Sequence, residues 1–279
     1  MSDTFWVALG SIGSTLAFGA VAVQSYFTRK AVNVSQVALD VAHGTQVASE
    51  AVAIDAARAR LDIEAPAMEI RVVDVPWPPL AWSHVGMPVS PWPPGYEWHF
   101  PHKQDERIVL QARIGVRNAG TRPMTVEFDG DLYVATPEKR ARRATPVISS
   151  PQPVPPVNPN LYLQADFTIK ELSENYEARA AGRPLPHRAT GTITVHDNRD
   201  NGVTDVWRLE ITGCPVRPDE NRSGVWHVDH ESGSDCLEYT AHPTYERTYW
   251  ISRRNGQKLP VPTYGPGSVG PSEPPALSS

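Results

Sequence analysis

The sequence predicts a mainly β protein in which an N-terminal transmembrane helix and an Ala-rich helical stalk precede an antiparallel β-sandwich. Three observations carry this reading. The 23 residues from Phe5 to Phe27 hold no charge, and Arg29 and Lys30 follow them closely. Residues 31–63 contain no proline and only Gly44 as a breaker. From Met68 onward the texture turns to alternating, β-branched runs separated by proline and glycine.

The uncharged run comes first. At about 1.5 Å of rise per residue it makes a helix of roughly 34 Å, against a hydrocarbon core of about 30 Å. Residues 5–27 therefore read as a single membrane span, with Trp6, Tyr26 and Phe27 at its two ends as interfacial aromatics. A cleaved signal peptide would need a basic leader. Only Met1, Ser2, Asp3 and Thr4 precede the run, although Ala20-Val21-Ala22 has the look of a cleavage site. The span thus reads as a retained anchor. No Lys or Arg lies before it and two lie directly after, which places the N-terminus outside and the body of the chain in the cytoplasm. Ser11, Thr15 and Gly19 recur at four-residue spacing, a small-residue stripe along which two such spans could self-associate. The plain alternative is a chain rich in small residues throughout.

Residues 28–65 form the stalk. Val34, Val37, Val41, Ala48 and Val52 share a face until Asp55 interrupts it. Val47, Ala51, Ile54 and Leu61 define a second face, offset by roughly 100°. A coiled coil would hold one seam over several heptads, so the reading is a stalk that packs locally. Pro66 ends it.

Residues 66–259 read as the sandwich. Strands are expected at 68–75, 107–117, 124–134, 161–171, 190–196, 203–212, 236–239 and 245–252. The clearest alternates Ile108, Leu110, Ala112, Ile114 and Val116 against Arg107, Gln111, Arg113 and Arg117. Asn118-Ala119-Gly120 turns the chain, and Asp200-Asn201-Gly202 is a hairpin signal. Short strands with no helix among them point to antiparallel sheets packed face to face, with Trp207 as a core anchor. Loops are expected at 76–101, rich in Trp and Pro, and at 145–160, rich in Pro. A disordered tail is expected at 260–279.

The run from Gly115 to Val126 (GVRNAGTRPMTV) resembles the strand–turn–strand "V-x-N-x-G…P…V" of immunoglobulin-like bacterial domains. The whole plan, with Arg60-Leu61-Asp62-Ile63-Glu64-Ala65-Pro66 closing the Ala-rich helix, resembles uncharacterised single-pass membrane proteins of high-GC bacteria with a C-terminal immunoglobulin-like β-sandwich. That resemblance implies no activity. The Cys…Trp…Cys arrangement of true immunoglobulin domains is not met, although Trp226 lies between Cys214 and Cys236. Lysine supplies only five of 26 basic residues, which fits a GC-rich source and leaves the sequons at Asn33 and Asn221 without glycosylation meaning.

Composition and motifs narrow the function classes. A net charge of −5 and pI ≈ 6.0 argue against a nucleic-acid partner. In the cytoplasm Cys214 and Cys236 would stay reduced as small buried hydrophobes, whereas an oxidising space would let them join strands. Gly265, Gly267 and Gly270 spell G-x-G-x-x-G without the strand and helix that a dinucleotide site needs. The segment 197–202 resembles a calcium loop, but Arg199 and Arg208 fall where carboxylates belong, so it is a turn. His227, Asp229, His230 and Glu231 lack C-x-x-C or H-x-x-x-H spacing and read as a polar hairpin. No cofactor or metal is expected. Trp77, Trp82, Trp92, Tyr96 and Trp98 are the binding candidates, either as proline-stiffened contact residues or folded back over the core. Lys139, Arg140, Arg142 and Arg143 are candidates for lipid contact, with a solvated loop as the alternative. The expectation is a membrane-anchored, non-enzymatic interaction or scaffold protein with an unknown protein partner. The alternative is an outward-facing carbohydrate-binding or hydrolytic domain using the same aromatics with Asp229 and Glu231.

Overall fold

The structure, a computed structural model, describes residues 3–82, 88–135, 141–151 and 161–263; the side chains of 3–20, 22, 82, 88–89 and 141 lie outside that description. The chain divides into two compact units, Met1–Ala59 with Pro260–Ser279, and Arg60–Leu259.

The first unit is built on α1 (Asp3–Asp62), whose last turn belongs to the second unit. At 1.5 Å per residue its 60 residues measure about 90 Å. The two helical stretches expected from the sequence are therefore one: Gly44 does not interrupt the ladder, and Pro66 lies beyond its end. The valine stripe departs from expectation. Val34, Val37 and Val41 are 62%, 62% and 63% exposed, whereas the second face is covered: Ala51 is buried and Val47, Ile54 and Leu61 are partly buried. Among the described residues no helix is long and apolar enough to cross a membrane. Most of the Phe5–Phe27 run, including Ser11, Thr15 and Gly19, lies outside the described side chains.

The second unit is mainly β. It begins with β1 (Met68–Asp74), β2 (Leu80–Trp82), β3 (Pro88–Pro91), β4 (Glu97–His99) and β5 (Arg107–Asn118). Next come β6 (Met124–Gly130), β7 (Leu132–Ala135), β8 (Ala141–Arg143), β9 (Val147–Ser149) and β10 (Leu161–Thr168). After helix α2 (Ile169–Ala180) follow β11 (Arg188–His196), β12 (Gly202–Gly213), β13 (Val216–Pro218) and β14 (Val225–Val228). The last strands are β15 (Leu237–Tyr239), β16 (Tyr245–Ser252) and β17 (Gln257–Lys258). One sheet runs β3-β2-β5-β10-β7-β8, with β1 also on β5. The other runs β17-β16-β12-β11-β6-β9, with β15 also on β12, and β13-β14-β4 form a small third sheet. The pairings among the described residues are antiparallel.

The alternation of β5 explains the layering. Ile108, Leu110, Ala112 and Ile114 are each at most 1% exposed and join Leu161 and Leu163 of β10 in one core with Val126, Ile193, Val195, Leu209 and Ile211 of the second sheet. Burial of such side chains contributes about 1.5–3 kcal/mol each. Trp207 is 2% exposed and anchors this core as expected. The chain passes from one sheet to the other at Gly130, where φ is +80° and a Cβ would stand 2.4 Å from the Thr190 carbonyl oxygen. No other residue fits there without moving the backbone.

Three expectations need correction. The strand expected at 161–171 ends at Thr168, and a helix follows, so the domain is not free of helical interleaving. Thr168 and Glu171 form a capping box: Thr168 Oγ1 accepts from the Glu171 N–H at 3.1 Å, and Glu171 Oε2 accepts from the Thr168 N–H at 2.8 Å. Ile169, Leu172 and Ala178 then bury the apolar side of α2. The expected loop at 76–101 contains β2, β3 and β4: β2 and β3 pair with each other, β2 also pairs with β5, and β4 finds its partner β14 far along the chain. The expected loop at 145–160 contains β9, which pairs with β6, while 152–160 lie outside the described residues, as do 264–279 of the tail.

Candidate functional site

β4 brings the aromatic candidates together. Strand alternation turns Trp98 inward, and its backbone pairs with Trp226 of β14. Trp98 is 0% exposed, so it is a core residue and not a contact residue. Its ring lies 5.1 Å from that of Trp92 and 5.4 Å from that of Tyr96. Glu106 organises the polar edges: it accepts from Trp98 Nε1 at 3.0 Å and from the Tyr96 hydroxyl at 2.9 Å. Lys103 Nζ donates to the Tyr96 hydroxyl at 3.2 Å and sits 4.6 Å above the Tyr96 ring. That hydrogen bond raises the Lys103 pKa. Trp77, Trp92 and Tyr96 are partly buried and pack against the core. The Trp82 side chain lies outside the described residues. These aromatics therefore cap the end of the core, which an apolar sheet end requires, while Trp77 and Trp92 keep part of their surface in solvent.

The aromatic layer continues toward a cavity. Phe100 stacks on Trp226 at 5.6 Å, and Tyr176 of α2 meets the Trp226 ring edge-on at 5.7 Å. Tyr176 also lines a cavity of about 400 Å³ with Arg179, Arg217, Asp229, Ser232, Asp235 and the two cysteines. Arg179 reaches it from the last turn of α2, Arg217 from β13, and Asp229 from the end of β14. Arg179 Nη2 donates to the Cys236 carbonyl at 3.2 Å and to Glu238 at 2.6 Å. Arg217 donates to Glu231 at 2.7 Å and to His227 Nε2 at 2.9 Å. Burial acts to raise the Asp229 pKa, but hydrogen bonds from Ser232 and the charge of Arg217 outweigh it and hold it below the usual carboxylate range. The Arg217 hydrogen bond lowers that of Glu231. Both are therefore carboxylates at neutral pH. Burial pushes both thiols upward, Cys236 to about 12, so neither is an activated nucleophile at neutral pH. Cys214 and Cys236 are free and buried. The cavity thus offers guanidinium, carboxylate and hydroxyl groups for recognition.

The remaining candidates are dispersed. His227 and Glu231 are both held by Arg217 while His230 is exposed, and among the described residues no three His, Cys, Asp or Glu gather to hold a metal ion. Asp197 is used internally: its carboxylate accepts from Arg199 Nε at 2.7 Å and from Arg253 at 3.4 Å, with Asn198 at φ 64° in the turn. A Cβ at Gly202 would meet that carboxylate at 2.6 Å, so a larger residue there would have to push the Asp197 side chain aside from its arginines. Arg142 and Arg143 are exposed on the edge strand β8, opposite Val134 and Tyr133, and Lys139 and Arg140 lie outside the described residues. Charges on an edge strand discourage edge-to-edge pairing. Sequence reading passed over Tyr176, Arg179 and Arg217. The Thr168-x-x-Glu171 box was the signal for the first two, because it starts the helix that carries them. Comparison of the chain with family models and with curated proteins returns no match.

Proposed function

We propose that this chain is a membrane-anchored interaction module without chemistry of its own. Residues 5–27 anchor it in the membrane, with the N-terminus outside and the β domain in the cytoplasm. Its partner is a protein, engaged at the end of the domain where Trp77 and Trp92 keep exposed surface over the core. One observation carries the reading: the polar groups around the adjoining cavity bind one another, and its two thiols are buried and protonated. This favours recognition over catalysis. Partly exposed tryptophans on a fixed backbone bury further area at little entropic cost, as interface anchors do.

Replacing Trp77 and Trp92 by Ala, with proximity labelling of neighbours in intact cells, tests the contact surface. Recovery of the principal partner is expected to fall about tenfold, as for an interface anchor. Phe at the same positions, which keeps the packing, should retain part of it. An unchanged partner list for an alanine variant that melts normally would overturn the assignment. Protease treatment of intact cells carrying a C-terminal epitope tests the topology, and loss of the epitope would reverse it.

A further inference from the structure

We infer that Cys214 and Cys236 are an oxidisable pair, a modification site at which a small disulfide-bearing oxidant closes a cross-strand disulfide on one wall of the cavity. A backbone hydrogen bond between the two cysteines and a cavity lined by both place them together, whatever the membrane anchoring or partner binding. β12 and β15 pair as Ile211↔Tyr239, Thr212↔Glu238 and Gly213↔Leu237. Just past these pairs, where Cys236 closes a 3-10 turn (Gly233–Cys236), the Cys214 N–H donates to the Cys236 carbonyl at 3.0 Å, which holds the two backbones side by side. Directly opposed residues of an antiparallel pair stand about 4.5–5.5 Å apart at Cα, inside the roughly 4.4–6.8 Å that a disulfide spans. Both cysteines line the same cavity, whose volume of about 400 Å³ admits a small disulfide.

The two thiols differ in a way that orders the steps. Cys236 Sγ donates to the Gly233 carbonyl at 3.1 Å, which holds its proton in place. Cys214 is then the entering group. Its thiolate, after losing a proton to solvent, attacks one sulfur of the oxidant, breaks that S–S bond and expels one thiolate. A mixed disulfide remains on Cys214. Cys236 loses its proton and attacks Cys214 Sγ, expelling the second thiolate. Two protons and two electrons leave the cysteine pair, and the external disulfide is reduced to two thiols. Because burial holds both groups as thiols, the rate rises with pH.

The test uses the full-length purified chain with oxidised glutathione at pH 8, acid quenching and peptide mass spectrometry. The expected product is a 214–236 cross-linked peptide with no glutathione retained and a mass lower by two hydrogens. The melting temperature should rise by roughly 5–10 °C, reversibly with a reducing thiol. A Cys236→Ser variant should stop at glutathione on Cys214. Separate adducts on both cysteines would overturn the inference, as would disulfides between chains, or unreacted thiols where a urea-unfolded control reacts fully.

Discussion

Asn175 shows how one side chain fixes an element that carries the cavity. It is 0% exposed. Its amide accepts from the His187 N–H at 2.9 Å and donates to the His187 carbonyl at 2.9 Å and the Gly213 carbonyl at 3.0 Å. Those three backbone groups have this side chain as a partner, so Asn175→Leu should cost about 3 kcal/mol, read as a lowered denaturation midpoint with an unchanged slope. At the surface, Arg222 bridges Asp219 and Glu97, tying β4 to the segment between β13 and β14. Hydrogen bonding from Arg222, with the Asn221 N–H, lowers the Asp219 pKa from 3.8 to about 2, and Arg222 lowers Glu97 in the same sense. A carboxyl whose pKa falls on folding stabilises the fold above its unfolded value and loses that contribution as pH drops through its folded one. The link is therefore complete above about pH 5 and falls away progressively between about 5 and 2. Melting temperatures of wild type and Arg222→Gln should differ at pH 5 and converge by pH 2; a difference that persists at pH 2 would refute this.

Among the elements, α2 gives the sharpest test of local coding. Thr168→Ala removes one half of the capping box and should lower stability by about 1 kcal/mol by denaturant titration, with Thr168→Ser close to wild type. The same helix shows why part of the fold was hard to read. β5 was legible because Ile108, Leu110, Ala112, Ile114 and Val116 alternate without interruption, and period two has one structural meaning. In α2 the charged residues Lys170, Glu171, Glu174, Glu177 and Arg179 are as many as the apolar ones, and its buried side includes Ser173 and Asn175. Hydrophobic spacing there is weak, and only the cap announces the helix. β4 was illegible for a different reason. Trp98 reads like its neighbours Trp77 and Trp92 by composition, and only pairing with Trp226, far along the chain, turns it inward. The nearness of Cys214 and Cys236 is likewise invisible until the pairing of β12 and β15 brings their backbones within hydrogen-bond reach.

Across the whole molecule, the main division falls at Arg60, just inside the end of α1. The residues that follow it are fastened to the β unit by charge. Asp62 accepts from Arg247 at 2.9 Å and from the Tyr249 hydroxyl at 3.0 Å. Arg247 in turn holds the fully buried Asp205 through two bonds of 2.7 Å, and burial pushes the Asp205 pKa up while Arg247 pulls it back. Glu64 contacts Arg199 and lies 3.2 Å from Arg122. These four basic or phenolic groups come from β16, the 197–202 hairpin and the turn before β6. The junction has a mechanical consequence. Tension applied along α1 passes by the backbone into β1, and Asp62 and Glu64 add side ties to β16, the 197–202 hairpin and the turn before β6. A tether fixed to one edge strand would unzip at low force. Here the groups that hold the end of the tether, Arg247, Tyr249, Arg199 and Arg122, belong to three separate segments of the β unit, so releasing it means breaking several ties and not one.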